Sequence, residues 1–127
     1  KSEADLNITH YQMTSWPDHG IPENSTDFID MSNEIRAKER DLKTAQSGYN
    51  SPMVVHCSAG VGRTGVFIAF DINRDRLEKT SDSDPTIEVY QTLHGMRQER
   101  MDVIQTLDQY IFVHTALNEL PIGEEEV

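Results

Sequence analysis

A glycine-rich segment at residues 58–65 constrains the fold of this chain more than any other feature. It follows a short apolar run at residues 53–56 and precedes an amphipathic stretch that carries Val66, Ile72 and Leu77. Glycine adopts backbone angles that side chains exclude, so such a segment can turn tightly between two elements. A strand, a glycine-rich turn and a helix in this order are typical of α/β proteins.

Two short runs predict strands. Residues 7–13 alternate between polar and larger side chains, and residues 53–56 are apolar after a turn signal at residues 48–52. Two strands cannot easily close a sheet, so we expect their partner strands to lie outside this sequence.

Apolar residues at helical spacing predict four helices. The first is expected to begin with Ser25 or Thr26 as its N-cap, and the second follows the glycine-rich segment. A third is expected to start with Asp84 as N-cap and Pro85 in its first turn. A fourth is expected after Gln105.

Composition excludes several classes of protein. The single cysteine rules out a disulfide framework. His10, His19, His94 and His114 lack the spacing of metal ligands, so we expect no metal site. The formal charge of −11 argues against binding to nucleic acid. No apolar run approaches the roughly 20 residues of a membrane helix, so no span is expected in this segment. Residues 121–127 are predicted to form a solvated acidic tail.

Cys57 begins a loop that suits a tetrahedral dianion. Its backbone N–H groups and the following helix N-terminus can face one concavity, and Arg63 offers a planar fork to two phosphate oxygens. The same donors are expected to lower the thiol pKa by roughly three units, and Thr64 can offer its hydroxyl to the sulfur. A buried structural cysteine in a tight turn is the plainer alternative. A nucleotide-binding loop is excluded because Arg63 stands where that motif needs lysine.

The run His-Cys-Ser-Ala-Gly-Val-Gly-Arg-Thr-Gly at residues 56–65 resembles the signature loop of the protein tyrosine phosphatases, in the form of their tyrosine-specific branch. Trp-Pro-Asp-His-Gly at residues 16–20 resembles the mobile acid loop of that branch, and Gln-Thr-Leu-Asp-Gln-Tyr at residues 105–110 resembles its glutamine loop. Residues 96–100 resemble the segment that precedes the glutamine loop.

The resemblance implies an α/β fold, with part of a mixed twisted sheet flanked by helices. Residues 1–120 would then be the C-terminal part of a catalytic domain. The N-terminal part of that domain, with the loop that recognises phosphotyrosine, is expected to lie outside this sequence.

The resemblance also implies hydrolysis of phosphotyrosine in proteins through a phosphocysteine intermediate, without a cofactor. Cys57 would be the nucleophile, and Asp18 would act first as general acid and then as general base. Arg63 would bind the phosphoryl group, and Gln105 would orient the hydrolytic water. Substrate binding is expected from Asp18, Cys57, Ser58, Ala59, Gly60, Val61, Gly62, Arg63 and Gln105.

Four further residues are expected to support this chemistry. His56 is predicted to hydrogen-bond beneath the loop, and Thr64 to contact the sulfur. Trp16 would pack or hinge the acid loop, and Gln109 would assist Gln105. Taken alone, Asp18 is better explained as an ordinary turn residue, and its catalytic role rests on the neighbouring Cys57 loop.

Other functions are compatible with parts of this pattern. A catalytically weak or inactive relative that binds phosphotyrosine is one alternative, although such relatives typically lose the nucleophile, the acid or the arginine. An arsenate reductase or a sulfurtransferase is another, which the acid and glutamine loops disfavour. The expected partners are phosphotyrosine-containing proteins. The expected location is the cytoplasm or the cytoplasmic side of a membrane receptor, because a reactive thiolate requires a reducing compartment.

Overall fold

Helix α2 occupies the centre of the structure, a computed structural model that describes residues 5–121. The helices are α1 (Ser25–Ala45), α2 (Gly62–Lys79), α3 (Val89–Glu99) and α4 (Leu107–Asn118). Helix α2 packs against α3 and α4, and α1 also contacts α4. Helix α2 therefore joins α3 and α4 into one structure, and its first turn carries the residues of greatest chemical interest.

An aromatic cluster forms the core between α1, α2 and α4. Phe28 is fully buried, and its ring centroid lies 4.8 Å from that of Phe70 and 5.2 Å from that of Phe112. Trp16 packs edge-on against Phe28 at 5.6 Å. Edge-to-face contacts of this kind add to the free energy of apolar burial. The core thus holds the segment before α1 as well as the helices.

Polar contacts fix α1 on α2. Arg36 lies 3.2 Å from a carboxylate oxygen of Asp71 and 3.0 Å from one of Glu78. Arg74 donates to Ser32 Oγ at 3.0 Å and also bonds Glu78. These contacts lie far along α2 from its first turn.

Side-chain caps define where α1 and α4 begin. Asn24 Oδ1 accepts a hydrogen bond from the backbone N–H of Asp27 at 2.9 Å, so Asn24 is the N-cap of α1. The prediction of Ser25 or Thr26 was wrong because asparagine stands one position earlier and caps at least as well. Thr106 caps α4 through Gln109 N–H at 3.1 Å, which confirms a helix just after Gln105.

Helix α3 begins later than its sequence predicts. Its N-cap is Glu88, so the expected start at Asp84 and Pro85 was wrong. The buried side chain of Asn73 in α2 accepts from Glu88 N–H at 3.2 Å and donates to Thr92 Oγ1 at 3.0 Å. This contact between helices, rather than the local capping signal, sets the start of α3.

The two predicted strands do not form within residues 5–121, which contain helices, turns and irregular backbone. Strands need neighbours that complete their backbone hydrogen bonds, and a lone pair of strands is marginal in water. The apolar side chains of Ile8 and Val54 are each 82% exposed. The expected sheet is therefore absent from the part of the chain that the structure describes.

Two further expectations concern the whole chain. The predicted acidic tail lies outside the described residues, apart from residue 121. Among the helices within residues 5–121, none has the length and apolar character to cross a membrane.

Candidate active site

Several hydrogen-bond donors face the sulfur of Cys57. The backbone N–H of Gly60 donates to Sγ at 3.3 Å, and Thr64 Oγ1 donates to it at 3.1 Å. The backbone N–H groups of Val61 and Thr64 also contribute to lowering the pKa of the thiol. The predicted contact between Thr64 and Cys57 is thereby confirmed, and the half-buried thiol lies in a polar cradle.

The start of α2 explains why the sulfur receives these bonds. The N-cap of α2 is Val61, whose side chain cannot accept a hydrogen bond. The first N–H groups of a helix have no partner within the helix, and a polar N-cap side chain usually accepts from one of them. Here the backbone N–H of Thr64, in the first turn of α2, helps to lower the pKa of the Cys57 thiol. Gly60 makes the turn possible because its φ of 73° is costly for other residues.

Burial raises the pKa of the Cys57 thiol, but the hydrogen bonds from the Thr64 hydroxyl and from the backbone N–H groups of Thr64, Gly60 and Val61 lower it more strongly. The balance lowers the pKa from 9.0 to about 7. The sequence predicts a larger decrease, which burial opposes. About half of this thiol is therefore ionised at neutral pH.

Arg63 bridges the signature loop and the acid loop, which comprises residues 16–20. Its Nη1 donates to the carbonyl oxygen of Trp16 at 3.0 Å, and its Nη2 lies 3.4 Å from Asp18 Oδ1. Its Nε is buried and has no hydrogen-bond partner among the described residues. A buried charged donor without an acceptor is costly, so this N–H suits an anionic ligand.

The acid loop is a tight turn with a buried tryptophan at its base. The N–H of Gly20 donates to the carbonyl oxygen of Pro17 at 3.1 Å. The Trp16 indole Nε1 donates to the carbonyl oxygen of Gly20 at 2.9 Å. Trp16 is only 7% exposed, whereas the Asp18 side chain is 48% exposed. The loop therefore anchors its base in the core and presents its carboxylate to solvent beside Arg63.

Gln105 lies against the first residue of α2. A Cβ atom added at Gly62 would overlap Gln105 Oε1, so glycine at this position allows the end of the Gln105 side chain to lie where it does. The backbone N–H of Gln105 donates to Gln109 Oε1 at 2.8 Å. Gln105 is exposed, but Gln109 is fully buried and its side chain does not reach solvent.

The first turn of α2 thus collects the predicted site residues. Gly62 contacts Gln105, Arg63 contacts Asp18, and Thr64 contacts Cys57. Within residues 5–121, no three histidine, cysteine or acidic side chains are grouped so that they could hold a metal ion.

His56 differs from its prediction. It is exposed, makes no hydrogen bond among the described residues, and its ring stacks on that of His10 with centroids 6.1 Å apart. The predicted hydrogen bond beneath the loop is therefore not formed among the described residues, where the exposed ring stacks on His10 instead. Ser58 and Ala59 are also exposed.

Two arginines that had no predicted role donate hydrogen bonds to backbone carbonyl oxygens next to the site. Arg97 donates to the carbonyl oxygens of Val103 and Ile104 at 3.1 and 2.9 Å. Ile104 has a φ of 60°, an uncommon and strained value for a β-branched residue. This turn immediately precedes Gln105. Arg100 donates from Nη2 to the carbonyl oxygen of Ala59 at 3.2 Å.

A feature of the sequence could have drawn attention to both arginines. They lie in the stretch at residues 96–100 that resembles the segment before the glutamine loop. Their partners are backbone carbonyls, however, and no residue pattern identifies those in advance.

Known proteins resemble this chain over most of its length. The family model described as Protein-tyrosine phosphatase matches residues 1–119. The receptor-type tyrosine-protein phosphatase S of Gallus gallus is 41% identical over 121 residues, which cover 94% of this chain and 7% of that protein. The tyrosine-protein phosphatase non-receptor type 9 of Homo sapiens is 40% identical over 126 residues, covering 94% of this chain and 20% of that protein.

The helical arrangement also has a counterpart among solved structures. The crystal structure of the Trypanosoma brucei protein tyrosine phosphatase TbPTP1 matches with a TM-score of 0.63 and 30% identity, over 81% of this chain and 32% of that one. The chain therefore has the fold of the corresponding part of such a domain and spans a fifth or less of the two curated relatives. By sequence and by fold, this chain belongs to the protein-tyrosine phosphatase family.

Proposed function

We propose that this chain supplies the catalytic machinery of an enzyme that hydrolyses phosphotyrosine in proteins through a phosphocysteine intermediate. The observation that carries the proposal is the first turn of α2, where Cys57, Arg63 and Asp18 are linked by direct contacts through Thr64 and the acid loop. A half-ionised thiol beside a guanidinium and a carboxyl group suits nucleophilic attack on a phosphate ester.

In the first step, the Cys57 thiolate attacks phosphorus. The S–P bond forms while the bond between phosphorus and the phenol oxygen breaks, and the Asp18 carboxyl group gives its proton to that oxygen. The departing tyrosine leaves as a neutral phenol. Arg63 and the backbone N–H groups of the loop stabilise the charge that builds up on the phosphoryl oxygens.

In the second step, water attacks the phosphocysteine. The Asp18 carboxylate takes a proton from this water, a new O–P bond forms and the S–P bond breaks. Inorganic phosphate and the Cys57 thiolate are released. Gln105 orients the water from its position beside Gly62, and the Thr64 hydroxyl stabilises the departing sulfur.

The Nε of Arg63 supports the assignment of an anionic substrate. It is a buried donor without a partner among the described residues, while Nη1 and Nη2 already contact the acid loop. A phosphoryl oxygen would satisfy it. We further propose that the site operates in a reducing compartment on the cytoplasmic side of the cell, where this thiol stays reduced. A receptor parent and a soluble parent both fit this location.

The test uses the full-length protein with a phosphotyrosyl peptide, a phosphoseryl peptide and an aryl phosphate. We expect turnover of the phosphotyrosyl peptide, its loss in Cys57→Ser, and a phosphoryl group on Cys57 after rapid acid quench. Turnover by Cys57→Ser close to that of the unmodified protein would contradict the proposal. Tight peptide binding without turnover by the unmodified protein would favour a phosphotyrosine-binding relative instead.

A further inference from the structure

The buried amide of Gln109 joins two loops of the site. Its Oε1 accepts from Gln105 N–H at 2.8 Å, and its Nε2 donates to the carbonyl oxygen of Gly20 at 3.1 Å. Gly20 lies 89 residues before Gln109 in the chain. Each end of the amide therefore forms a hydrogen bond with the backbone of a different loop.

Burial excludes the role that the sequence predicts for Gln109. A side chain that assists a hydrolytic water must reach the space where that water lies, yet Gln109 is 0% exposed and both ends of its amide are bonded. A buried amide is costly unless its polar atoms have partners. Its two bonds are thus the reason why this residue can occupy the core.

The bond to Gly20 connects the acid loop to α4. The same carbonyl oxygen accepts from the Trp16 indole at 2.9 Å, a contact internal to the loop. The carbonyl oxygen of Trp16 accepts from Arg63 at 3.0 Å. The acid loop is consequently held by α4 at its Gly20 end and by α2 at its Trp16 end, with Asp18 between them.

The bond to Gln105 acts on the glutamine loop. It holds the backbone from which the Gln105 side chain extends along Gly62. A Cβ atom at Gly62 would also lie 3.2 Å from Gln109 Nε2, so the amide is closely packed against the start of α2.

We infer that Gln109 is a positioning residue. Its single amide holds the acid loop and the glutamine loop in a fixed position relative to each other, so that its loss displaces Asp18 and Gln105 together. It touches no reacting atom and acts only through the two backbones. The kinetic part of this inference rests on the proposed function, whereas its structural part stands without it.

The test compares Gln109→Met and Gln109→Asn with Asn73→Leu in the full-length protein. Methionine keeps the length of glutamine without its polar atoms, and asparagine keeps an amide that is too short for both bonds. Asn73 is the matched control because it is also a 0% exposed amide with bonds at both ends. It lies about 15 Å along α2 from Arg63.

Hydrogen exchange measured by mass spectrometry gives a readout that does not require activity. We expect the backbone amides of residues 16–20 to exchange roughly 2- to 10-fold faster in Gln109→Met, in line with one lost hydrogen bond. Gln109→Asn should show a smaller increase, and Asn73→Leu should leave this loop unchanged relative to the rest of the domain. Unchanged exchange at residues 16–20 in both Gln109 variants would overturn the inference.

The kinetic readout uses a series of aryl phosphates whose phenols differ in pKa. Displacing Asp18 should matter most for phenols of high pKa in the formation of the phosphocysteine, the step on which kcat/KM reports. We therefore expect kcat/KM of Gln109→Met to fall up to about 10²-fold for these phenols and little for good leaving groups. Asn73→Leu should lower kcat/KM for all substrates by one common factor. The same result for Gln109→Met would overturn the inference. If the unmodified protein hydrolyses none of them, the proposed function fails, and exchange at residues 16–20 alone decides the role of Gln109.

Discussion

Arg63 donates from Nη1 to the carbonyl oxygen of Trp16 at 3.0 Å across 47 residues of sequence. The bond joins the first turn of α2 to the base of the acid loop. Because Trp16 is anchored in the aromatic core, the guanidinium is tied to a rigid part of the structure and Asp18 is kept beside it. The acid and the cationic group are therefore positioned by one another.

Replacing Arg63 with lysine should remove this geometry while keeping the charge. An ammonium group cannot donate in the planar fork that contacts both Trp16 and an anion. We expect kcat/KM for an aryl phosphate to fall about 10- to 100-fold, as for the loss of a hydrogen bond to a charged group. Arg74→Lys is the matched control, because Arg74 also holds several partners but lies on the α1 side of α2. Equal effects of the two substitutions would contradict the role of Arg63.

Removing the Thr64 hydroxyl should raise the pKa of Cys57. The pKa is lowered to about 7 because the hydrogen bonds, first among them that of the Thr64 hydroxyl, outweigh the effect of burial. In Thr64→Val, the pH midpoint of the reaction of Cys57 with iodoacetamide should move upward from about 7 towards the ordinary value of 9.0. Thr115→Val serves as control, since that hydroxyl bonds only the backbone of α4. Identical midpoints in Thr64→Val and the unmodified protein would refute this cause.

The lowered pKa of Cys57 also makes the stability of the folded protein depend on pH. The folded state lowers the thiol pKa, so it favours the ionised form. This contribution to the free energy of unfolding is complete above the ordinary value of 9.0 and is lost as the pH falls towards about 7. Thr64→Val should narrow the pH range over which this contribution to the free energy of unfolding changes. Urea unfolding at several pH values would measure it.

Neutralising Asp18 should slow the first chemical step. Asp18→Asn retains the size of the side chain but cannot give up a proton to the leaving phenol. We expect kcat to fall by roughly 10²–10⁴-fold, with a steeper dependence on the pKa of the leaving phenol. Asp30→Asn, at an exposed position of α1, should have no effect. An unchanged leaving-group dependence would show that another group is the acid.

Adding one methyl group at Gly62 should displace Gln105. The new Cβ atom would overlap Gln105 Oε1, whereas at Gly95 in α3 no atom lies within 4 Å of such a Cβ. We expect Gly62→Ala to slow hydrolysis of the phosphocysteine more than its formation, so that a burst of phenol precedes slow turnover. Gly95→Ala should keep full activity and stabilise α3 by up to about 1 kcal/mol. A Gly62→Ala enzyme without a burst would argue against Gln105 as the residue that orients water.

The sequence allowed good predictions where the deciding interactions are local. Helix α4 begins just after Gln105, as predicted, and the contact of Thr64 with Cys57 follows from a turn of only a few residues. The start of α3 was mispredicted because Asn73 in another helix competes with the local capping signal at Asp84. The strands were mispredicted within the described residues because a strand needs partners that its own sequence does not supply.

The role of Gln109 illustrates the same limit within the site. Gln109 follows Gln105 by about one helical turn of sequence, which suggests one shared task. Only the packing of α4 against the acid loop buries one of them and leaves the other exposed.

The sequence by itself determined the chemical groups of the site: a cysteine in a glycine-rich turn, an arginine at the start of a helix, an aspartate in a tight turn and two glutamines. Residue type, capping and turn chemistry depend on neighbours within a few positions, so they can be read from the chain. The tertiary structure alone decided which groups meet, because Arg63 reaches Trp16 across 47 residues and Gln109 reaches Gly20 across 89. Hydrogen bonds over such separations exist only after the core has brought the helices together.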